Sequence, residues 1–547
     1  MPKHYKIHPA IGITRLGDST SPGADGSFIG PEIPGTPLAG PFKDASGAVL
    51  RQAARFRVFE YDDADRNDPG TEITAKDPRV QAIEWTVHLV NQKASWFEFG
   101  GTVGEGPLGY PANWQHRNAG ITDPGVRTRK LIINPGPRTL RGPNQSAEFR
   151  RGTGGPTETF PDPVDGRSID TLGEISTDEN GRLSVLGGRG VSIGPVPSDG
   201  RLDFANNDDW FDDTSDGPVT SVVVFKDGTR VLAGPAWVIV GPPDFAPSIA
   251  NIVTMYDVLY DMALFTFNFD TRIVDTQFKS DYKPSFYDEV YPILKRALNY
   301  QWVNSQASIH VGILDRPGLA VPPTASGSDP NKKKRMDIFN HVRDPNNPTA
   351  NPDLARMPQL HGDNGIGTHL TVTVTQYEIL RRWANGSFVR NSTVPPSPAT
   401  VVTARGLDQA ALEACAGGAF FPGIEAGWIM RDARVYAEPF RLLHFDATSA
   451  PLGLRPGDVT KRSALPWQAD FLQCGAFWWP AQRPNEVFLE DGNQKEWDRG
   501  ISNEVQMARV WARLGFVVNV GTDDNPNFVE KGHDDAAIAS SQLPTPP

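Results

Sequence analysis

The chain has few cysteines, no long apolar run and no excess of positive charge. Its 547 residues include only 2 cysteines, Cys415 and Cys474, which excludes a scaffold built on disulfides. A net charge of -12 at pH 7 argues against nucleic acid or an anionic membrane as a partner. No stretch approaches the roughly 20 apolar residues of a membrane span, and the first residues, "MPKHYKIHPAIG", lack the apolar core of a secretory signal. We therefore expect a soluble, cytoplasmic protein, unless a non-standard route exports it.

Common cofactor motifs are missing too. No GxxxxGK[ST] loop is present and no GxGxxG turn opens a helix after a strand, so ATP and dinucleotides lose their usual cradles. HExxH and CxxC, which are frequent zinc signatures, are absent. The acidic run "NNDDWFDDTSDGPV" (206–219) imitates the start of an EF-hand loop from Asp212, but the twelfth position is Val223 where a glutamate is needed. We therefore interpret the run as a turn-rich loop and expect no metal.

Glycine, proline and aromatic residues are abundant. The chain has 53 Gly and 49 Pro, more than ordinary usage of about 7% and 5%, together with 13 Trp. Such aromatic content excludes a disordered linker protein. A chain that is rich both in turns and in large rings is expected to form a compact body with many long, ordered loops.

The hydrophobic pattern changes near residue 250. Before it, "ARFRVFEY" (54–61) and "IEWTVHLV" (83–90) alternate as strands do, and Asp227-Gly228 lies between two β-branched runs as in a hairpin. After it, helical spacing dominates. The expected helices are 256–267, 287–303 with Pro292 near its start, Thr375 to Gly386, Asp408 to Gly417, and 501–516.

These patterns predict an α+β fold. We expect a strand-rich N-terminal half with antiparallel sheets (1–250), a helix-rich region (251–528) and a flexible tail or arm (529–547). No internal repeat and no clean linker separates the two halves, so one compact body is favoured over separable domains.

The second cysteine has unusual neighbours. Cys474 stands in "PWQADFLQCGAFWWPAQRP" (466–484), four residues after Asp470 and four before Trp478, which precedes Trp479. Helical spacing would place a carboxylate, a thiol and an indole along one side of a short segment. Core packing is the ordinary explanation for a cysteine among aromatic rings, and it suffices for Cys415. The trio is also what a quinone derived from the protein itself requires.

At this point the chain resembles a known family. "PWQADFLQC" with "WWPAQRP", "IHPAIGITRLGDS", "FIGPEIPG", "RQAARFRVFEYD", "NNDDWFDDTSDGPV", "AWVIVGPPDFAP" and "GGAFFPGIE" are similar to segments of the cysteine tryptophylquinone-dependent amino-acid oxidases, the family of L-lysine 6-oxidase and glycine oxidase. The similarity extends from His8 to about Val487. One departure is the link of three residues between Cys474 and Trp478, since members can have a much longer insertion there.

The resemblance implies a cofactor and its residues. Cys474 would provide the thioether sulfur, and Trp478, or alternatively Trp479, would become the quinone. Asp470 matches an aspartate associated with cofactor formation and is a candidate proton acceptor. Phe211 falls where some members have tyrosine and would border the substrate pocket. No NAD, bound flavin or metal is expected.

The resemblance also implies a reaction and partners. An amino acid or primary amine would add to a quinone carbonyl, a general base would remove the neighbouring proton, and O2 would reoxidise the cofactor to give H2O2, NH3 and an aldehyde or oxo acid. A flavin-dependent maturation protein and a homodimer or homotetramer are expected.

Other residues and other classes of function stay open. His361, Arg483 and Glu425 are candidates for the substrate pocket, with Arg483 and Glu425 equally suited to bracing loops, and His444 is expected in the core. One alternative is a thiol enzyme with Cys474 as nucleophile, for which no histidine base is placed. The other is a binding or scaffold protein in which the cysteine and tryptophan stay unlinked.

Overall fold

The computed structural model describes residues 3–65, 68–99, 114–311, 317–347, 357, 358, 360, 369–392, 399–417, 426, 428–473, 478–522 and 525–541. The strands of this part are β1 (Lys3–His8), β2 (Ile11–Arg15), β3 (Ser27–Ile29), β4 (Arg51–Asp62), β5 (Thr71–Ile73), β6 (Val80–Val87), β7 (Arg138–Arg141), β8 (Ser146–Arg150), β9 (Thr171–Thr177), β10 (Leu183–Gly187), β11 (Ser192–Ile193), β12 (Phe211–Asp212), β13 (Ser215–Phe225), β14 (Arg230–Leu232), β15 (Ala236–Gly241), β16 (Val274–Asp275), β17 (Gln277–Phe278), β18 (Tyr436–Glu438), β19 (Arg441–Leu442), β20 (Glu486–Phe488), β21 (Gln494–Glu496), β22 (Phe516–Asn519) and β23 (Phe528–Lys531).

The α-helices of the same residues are mostly short. They are α1 (Pro124–Leu131), α2 (Met255–Phe267), α3 (Tyr291–Asn299), α4 (Lys332–Phe339), α5 (Val374–Ala384), α6 (Ala404–Glu413), α7 (Trp467–Gln473), α8 (Glu504–Val510) and α9 (Asp535–Ser540). Short stretches of 3₁₀ or π-helix are Gly23–Asp25, Lys93–Ser95, Phe286–Val290, Tyr300–Trp302, Ser305–His310, Trp428–Arg431, Ala433–Val435, Thr460–Arg462 and Trp511–Arg513.

One large sheet organises the N-terminal half. It has 13 strands, and its main path runs β7-β6-β13-β15-β2-β4-β10-β9-β8, with β1, β3, β5 and β14 at its sides. Most neighbours are antiparallel, while β15 with β2 and β3 with β4 are parallel. The end strands β7 and β8 lie close to each other, so the sheet curls into a near-barrel. The predicted strand-rich half is confirmed.

The β13–β14 hairpin forms at the predicted turn. Phe225 N–H donates to the Thr229 carbonyl over 2.8 Å, and Gly228 has a φ of 88°, which a glycine adopts without steric cost. The earlier part of β13 pairs instead with β15, from Ser215 with Val240 to Val219 with Ala236. One long strand therefore takes part in three ladders of the near-barrel, with β6, β14 and β15.

The second half is mixed rather than plainly helix-rich. Beyond residue 250 the described elements include α2 to α9, but also the four two-stranded pairs from β16 to β23 and long irregular segments. Two predicted helix starts are wrong. Thr373, not Thr375, caps α5, because its side chain and that of Gln376 form a reciprocal capping box. Helix α6 starts at Ala404, with Thr403 as its cap, so Asp408 lies inside the helix.

Part of the expected tail is ordered secondary structure. Strand β23 pairs with β22, and helix α9 follows with Ile538 fully buried. Glu530 forms an ion pair with Arg499 over 2.7 Å. Residues 529–541 thus pack on the body, and residues 542–547 lie outside the described part. Within the described part, no helix is long and apolar enough to span a membrane.

Candidate active site

Helix α7 carries the aspartate that the sequence singles out. Asp470 is fully buried, and so are Trp467 and Phe471 of the same helix, whose rings meet edge to face with centroids 5.0 Å apart. Trp467 also contacts the ring of Trp511 at 5.4 Å. The helical spacing predicted for this segment is confirmed as far as Gln473. Because Asp470 has no exposed surface, bulk water does not reach its carboxyl group.

The first residue of α7 is held by a residue far away in the sequence. The Trp467 backbone N–H donates to Asp212 Oδ2 over 3.2 Å. The same carboxylate oxygen accepts from Lys93 Nζ at 2.8 Å, and Lys93 Nζ donates also to the Ala464 carbonyl at 2.8 Å. Lys93 and Asp212 are both buried almost completely, at 1% and 0% of their side-chain surfaces. An ion pair inside the protein therefore fixes the start of the helix.

A second polar tie holds the helix one residue further on. Gln468 accepts from the Ser192 hydroxyl at 2.7 Å and donates to the Gly190 carbonyl at 3.3 Å. Ser192 lies in "GVSIG", which has the spacing of a serine hydrolase motif, but it stands on β11 and its hydroxyl is engaged by this glutamine. Trp511 donates its indole N–H to Gly190 as well, at 3.0 Å. The loop before β11 is thus a support for α7.

The acidic run is a turn-rich loop only in part: residues 206–210 are irregular with a turn, while β12 and β13 take up 211–212 and 215–219. Asp212 ends β12, and Asp216 lies in β13 with no exposed surface. Asp216 accepts from the Thr460 hydroxyl at 2.6 Å, the Thr460 N–H at 2.7 Å and the Trp237 indole at 2.9 Å. Burial raises the pKa of Asp216 to about 6, and these hydrogen bonds oppose the rise. Asp212 and Asp216 therefore both hydrogen-bond to the chain at or just before the start of α7, at Trp467 and Thr460 respectively.

Asp213 differs from its neighbours on the same run. Its carboxyl group is buried and accepts from the Arg189 backbone N–H at 2.6 Å, while Oδ1 finds no donor among the described residues. Burial, followed by the nearby Asp212 charge among the raising effects, lifts the pKa of Asp213 to about 7. No group of three or more His, Cys, Asp or Glu side chains in the described part is arranged to hold a metal ion.

Phe211 stands next to this polar support. It pairs with Ile193 across the β11–β12 ladder and keeps 9% of its surface exposed. Phe211 belongs to the main hydrophobic cluster, which also contains Trp467, Trp478 and Trp479. Its place as a border of the substrate pocket stays a prediction.

The two tryptophans follow in a tight turn. Their ring centroids are 6.3 Å apart at an angle of 44°, and Trp478 is 9% exposed against 2% for Trp479. The Trp479 carbonyl accepts from the backbone N–H groups of Gln482 and Arg483, both at 3.0 Å. The Trp479 indole N–H and both amide atoms of the fully buried Gln482 have no partner among the residues that the structure describes. Three buried polar atoms of Trp479 and Gln482 therefore lack a hydrogen-bond partner within the described part of the chain.

Arg483 braces the end of helix α7. Its Nε donates to the Phe471 carbonyl, its Nη2 lies 2.9 Å from Asp498, and its guanidinium stands 5.8 Å from the centre of the Trp497 ring. Arg483 is 5% exposed. These contacts match the loop-bracing alternative for this residue, while a contact with substrate stays a prediction.

Three predicted site residues lie outside the described residues: Cys474, His361 and Glu425. The structure places Phe211 and the tryptophan pair in its main hydrophobic cluster, and Arg483 against the backbone of α7, the helix that carries Asp470. His444 is partly buried against the Trp237 ring at 5.1 Å, and burial lowers its pKa to about 4. Cys415 is buried in a second cluster, as expected.

Sequence reasoning missed Lys93 and Arg117. Arg117, which is 1% exposed, donates to the carbonyls of Lys93 and Ser463, both at 3.1 Å, and to Asn206 at 3.2 Å. "NQKASW" around Lys93 looks like any surface turn, and its partner Asp212 is 119 residues away. The only sequence signal for such buried cations was the density of aspartates in the acidic run. An aspartate that is buried in the folded protein needs a buried hydrogen-bond donor.

Comparison with known proteins covers both halves of the chain. Residues 8–240 match the model of the "L-lysine epsilon oxidase N-terminal" family, and residues 349–497 match that of the "L-lysine epsilon oxidase C-terminal domain". L-lysine 6-oxidase of Marinomonas mediterranea is 28% identical, over 96% of this chain and 89% of that protein. Phe211 lies in the first matched segment, and Asp470 and the tryptophan pair lie in the second.

Solved structures agree over the same extent. The crystal structure of the L-Lys ε-oxidase from Marinomonas mediterranea superposes with a TM-score of 0.82 at 26% identity, over 97% of this chain and 94% of that chain. A structure titled as the Schiff base intermediate of that enzyme with L-Lys gives a TM-score of 0.82 at 27% identity, over 97% and 95%. The two family models together span more than half of the chain, and the chain belongs to the L-lysine ε-oxidase family.

Proposed function

We propose that the protein is an amino-acid oxidase that uses a cysteine tryptophylquinone made from Cys474 and Trp478. The observation that carries the proposal is the fully buried carboxyl group of Asp470 on α7, four residues before Cys474 in the sequence. Its helix neighbours Trp467 and Phe471 belong to the main hydrophobic cluster, as the tryptophan pair does. Family membership supports the same reading, because the similar L-Lys ε-oxidase has a structure titled as a Schiff base with L-Lys.

The residues of the chain fit such a group. Its atoms would come from the chain itself, so no nucleotide cradle is needed. Buried polar atoms without described partners, at Trp479 Nε1 and at the Gln482 amide, are suited to receive a group that brings new oxygen atoms into an apolar cluster. Trp478 keeps more exposed surface than Trp479, which favours it as the ring that substrate reaches, and Trp479 is the alternative.

The chain's side chains have distinct tasks in the proposed reaction. The quinone supplies an electrophilic carbonyl for a primary amine and accepts two electrons. Asp470 takes the proton from the substrate carbon next to the amine, while Trp467 and Phe471 exclude water around it. The substrate carbon leaves as a carbonyl after hydrolysis with release of ammonia, and dioxygen takes the two electrons and two protons as hydrogen peroxide.

The substrate is proposed to be an amino acid or another small primary amine. Phe211 replaces a residue that is tyrosine in some members, and the link from Cys474 to Trp478 is short. The short link reshapes the pocket relative to such members, so their substrate preference does not transfer directly, and Phe211 favours a small amino acid over lysine. A flavin-dependent protein would mature the cofactor, and the enzyme would work as a homodimer or homotetramer.

The experiment is a screen of oxidase activity after co-production with the maturation protein. Peroxide and ammonia release would be measured with glycine, other small amino acids, L-lysine and simple amines. We expect equal amounts of peroxide and ammonia from at least one of them, and visible absorption from the protein. Cys474→Ser is the matched control, because it cannot form the thioether. Absence of activity and of visible absorption in wild-type protein would contradict the proposal.

A further inference from the structure

We propose that the buried Lys93–Asp212 ion pair is a positioning joint, which sets helix α7 with Asp470 against strand β12 with Phe211 in the geometry that cofactor formation and turnover require. The inference rests on the proposed function for its catalytic consequence. Its structural consequence, the fixing of the start of α7, is measurable without any cofactor.

At the centre of the joint is the Asp212 carboxylate, which accepts hydrogen bonds from three segments of the chain. Asp212 Oδ2 accepts from Lys93 Nζ at 2.8 Å and from the Trp467 N–H at 3.2 Å. Asp212 Oδ1 accepts from the Thr214 hydroxyl at 2.7 Å and from Asn91 Nδ2 at 3.1 Å. Lys93 Nζ donates a second hydrogen bond to the Ala464 carbonyl, at 2.8 Å. The pair thus contacts the main chain on both sides of the entry to α7.

The two residues that matter for chemistry stand directly on the joined elements. Phe211 precedes Asp212 in β12, so its side chain points to the opposite face of the strand. Asp470 follows Trp467 by three residues, which is about one helical turn. A shift of the Asp212–Trp467 contact therefore moves the predicted base relative to the predicted pocket wall.

The energetics favour a geometric role over a stabilising one. Burial lowers the pKa of Lys93 from its ordinary value, while the Asp212 charge opposes that change. A buried ion pair contributes little net stability compared with apolar side chains of similar size, because desolvation offsets the attraction. Removing one partner alone is costly, since the other is left buried and charged. Such a pair is best suited to selecting one arrangement of the elements that it joins.

A second buried cation fixes the frame around the joint. Arg117 donates to the Lys93 carbonyl and to the Ser463 carbonyl, both at 3.1 Å. The backbone that carries Lys93 and the backbone that leads into α7 are therefore tied to one guanidinium. The joint has little freedom to adapt when Lys93 or Asp212 is changed.

The test uses full-length protein matured with its partner and three variants: Lys93→Met, Asp212→Asn and the double variant, which removes both charges and keeps an oxygen for the Trp467 N–H. The matched control is Asp408→Asn, another buried carboxylate, which accepts from the Ala10 N–H at 2.6 Å and pairs with His8 at 2.9 Å, away from α7. Each protein is analysed for deuterium uptake of the 464–473 peptide, quinone content per folded chain, kcat and KM.

We expect both single variants to exchange faster in the 464–473 peptide than wild type and to lose about tenfold or more in quinone content or kcat. Asp408→Asn should leave all three within twofold. If the single variants do not fold, the double variant decides, because it carries no unpaired buried charge and should fold with reduced kcat. The positioning role of the Lys93–Asp212 pair would be contradicted if folded variants kept the deuterium exchange and kcat of wild type. It would also be contradicted if Asp408→Asn lost as much as they do. Wild-type protein without quinone would contradict the proposed function instead. Deuterium uptake of the 464–473 peptide would then still test whether the Lys93–Asp212 pair fixes the start of α7.

Discussion

The near-barrel and the segment from 457 to 483 are held together in different ways. Strands such as β4, β6 and β13 are bound by regular ladders to neighbours on both sides. In its described residues, the segment with Asp470 and the tryptophans has one 3₁₀ turn and one seven-residue α-helix. Its position depends on side chains of the N-terminal half, namely Lys93, Arg117, Asn207, Asp212 and Asp216.

This difference assigns the N-terminal half a direct part in the site. A ladder of strands tolerates many substitutions, because each residue adds a small increment of packing and hydrogen bonding. A short irregular segment has no such redundancy, so each buried charge that holds it carries more of its geometry. The aspartates of the 206–219 run are therefore expected to matter for the site although they lie more than two hundred residues before it.

The largest effect should come from the tryptophan that bears the quinone. Trp478→Phe is expected to abolish visible absorption and oxidase activity, because no indole remains for the thioether and oxygen atoms. Trp479→Phe should keep the absorption, with any loss of activity due to packing. The check is the absorption spectrum of each purified variant. The opposite result would move the quinone to Trp479 and leave the rest of the account in place.

Asp470→Asn should have the next largest effect. Asparagine has nearly the same shape but cannot accept a proton, so we expect kcat or quinone content to fall about 100-fold or more. Asp408→Asn, an isosteric change at another buried carboxylate, should keep both. Mass spectrometry separates failed cofactor formation from failed turnover. Full activity of Asp470→Asn would remove the carboxylate from the mechanism.

Asp216→Asn tests the polar ties as supports. Oδ1 receives the Thr460 N–H and Oδ2 receives the Trp237 indole N–H, so an amide NH₂ faces a donor in either orientation. We expect a loss of about 3 kcal/mol in the free energy of unfolding, measured in urea. The control is Asp227→Asn in the exposed β13–β14 turn, which should change little. Equal small effects would show that the segment does not depend on Asp216.

Asp213→Asn should give the smallest effect, a change in pH dependence. The pKa of Asp213 is raised to about 7, above its ordinary value of about 4. Between these pH values the unfolded chain has lost the proton that the native chain keeps, so this residue's contribution to stability falls as pH rises. The variant should therefore show a shallower fall in unfolding free energy from about pH 4 to 7. Parallel curves for variant and wild type would contradict the raised pKa.

The regular part of the fold was accessible from the sequence for a physical reason. Period-two alternation and an Asp-Gly turn specify strands and a hairpin locally, and β4, β13 and β14 formed where the pattern indicated. The helix of Asp470 was also predicted from local spacing. Thr373 was missed as the cap of α5 because Thr375 has the same chemistry, and only the capping box with Gln376 distinguishes them.

The supports of the site were not accessible in this way. Lys93 and Asp212 meet through the closure of the sheet, and no local periodicity encodes a contact across 119 residues. The acidic run was interpreted as a turn-rich loop because Asn and Asp side chains often bond the local backbone, and this holds only for part of it, including residues 206–210. Asp212 and Asp216 of this run are buried because Lys93, Thr460 and Trp467 supply their donors, and each of these donors is known only once the chain is folded.

The most direct test of the central claim is peptide mass spectrometry of protein co-produced with its flavin-dependent maturation partner. The peptide that contains Cys474, Trp478 and Trp479 is predicted to carry a cysteine joined to a tryptophan with two added oxygen atoms, and fragmentation would identify the tryptophan. A free thiol and two unmodified indoles in protein from a competent host would contradict the proposed oxidase and return this segment to the role of a packed core.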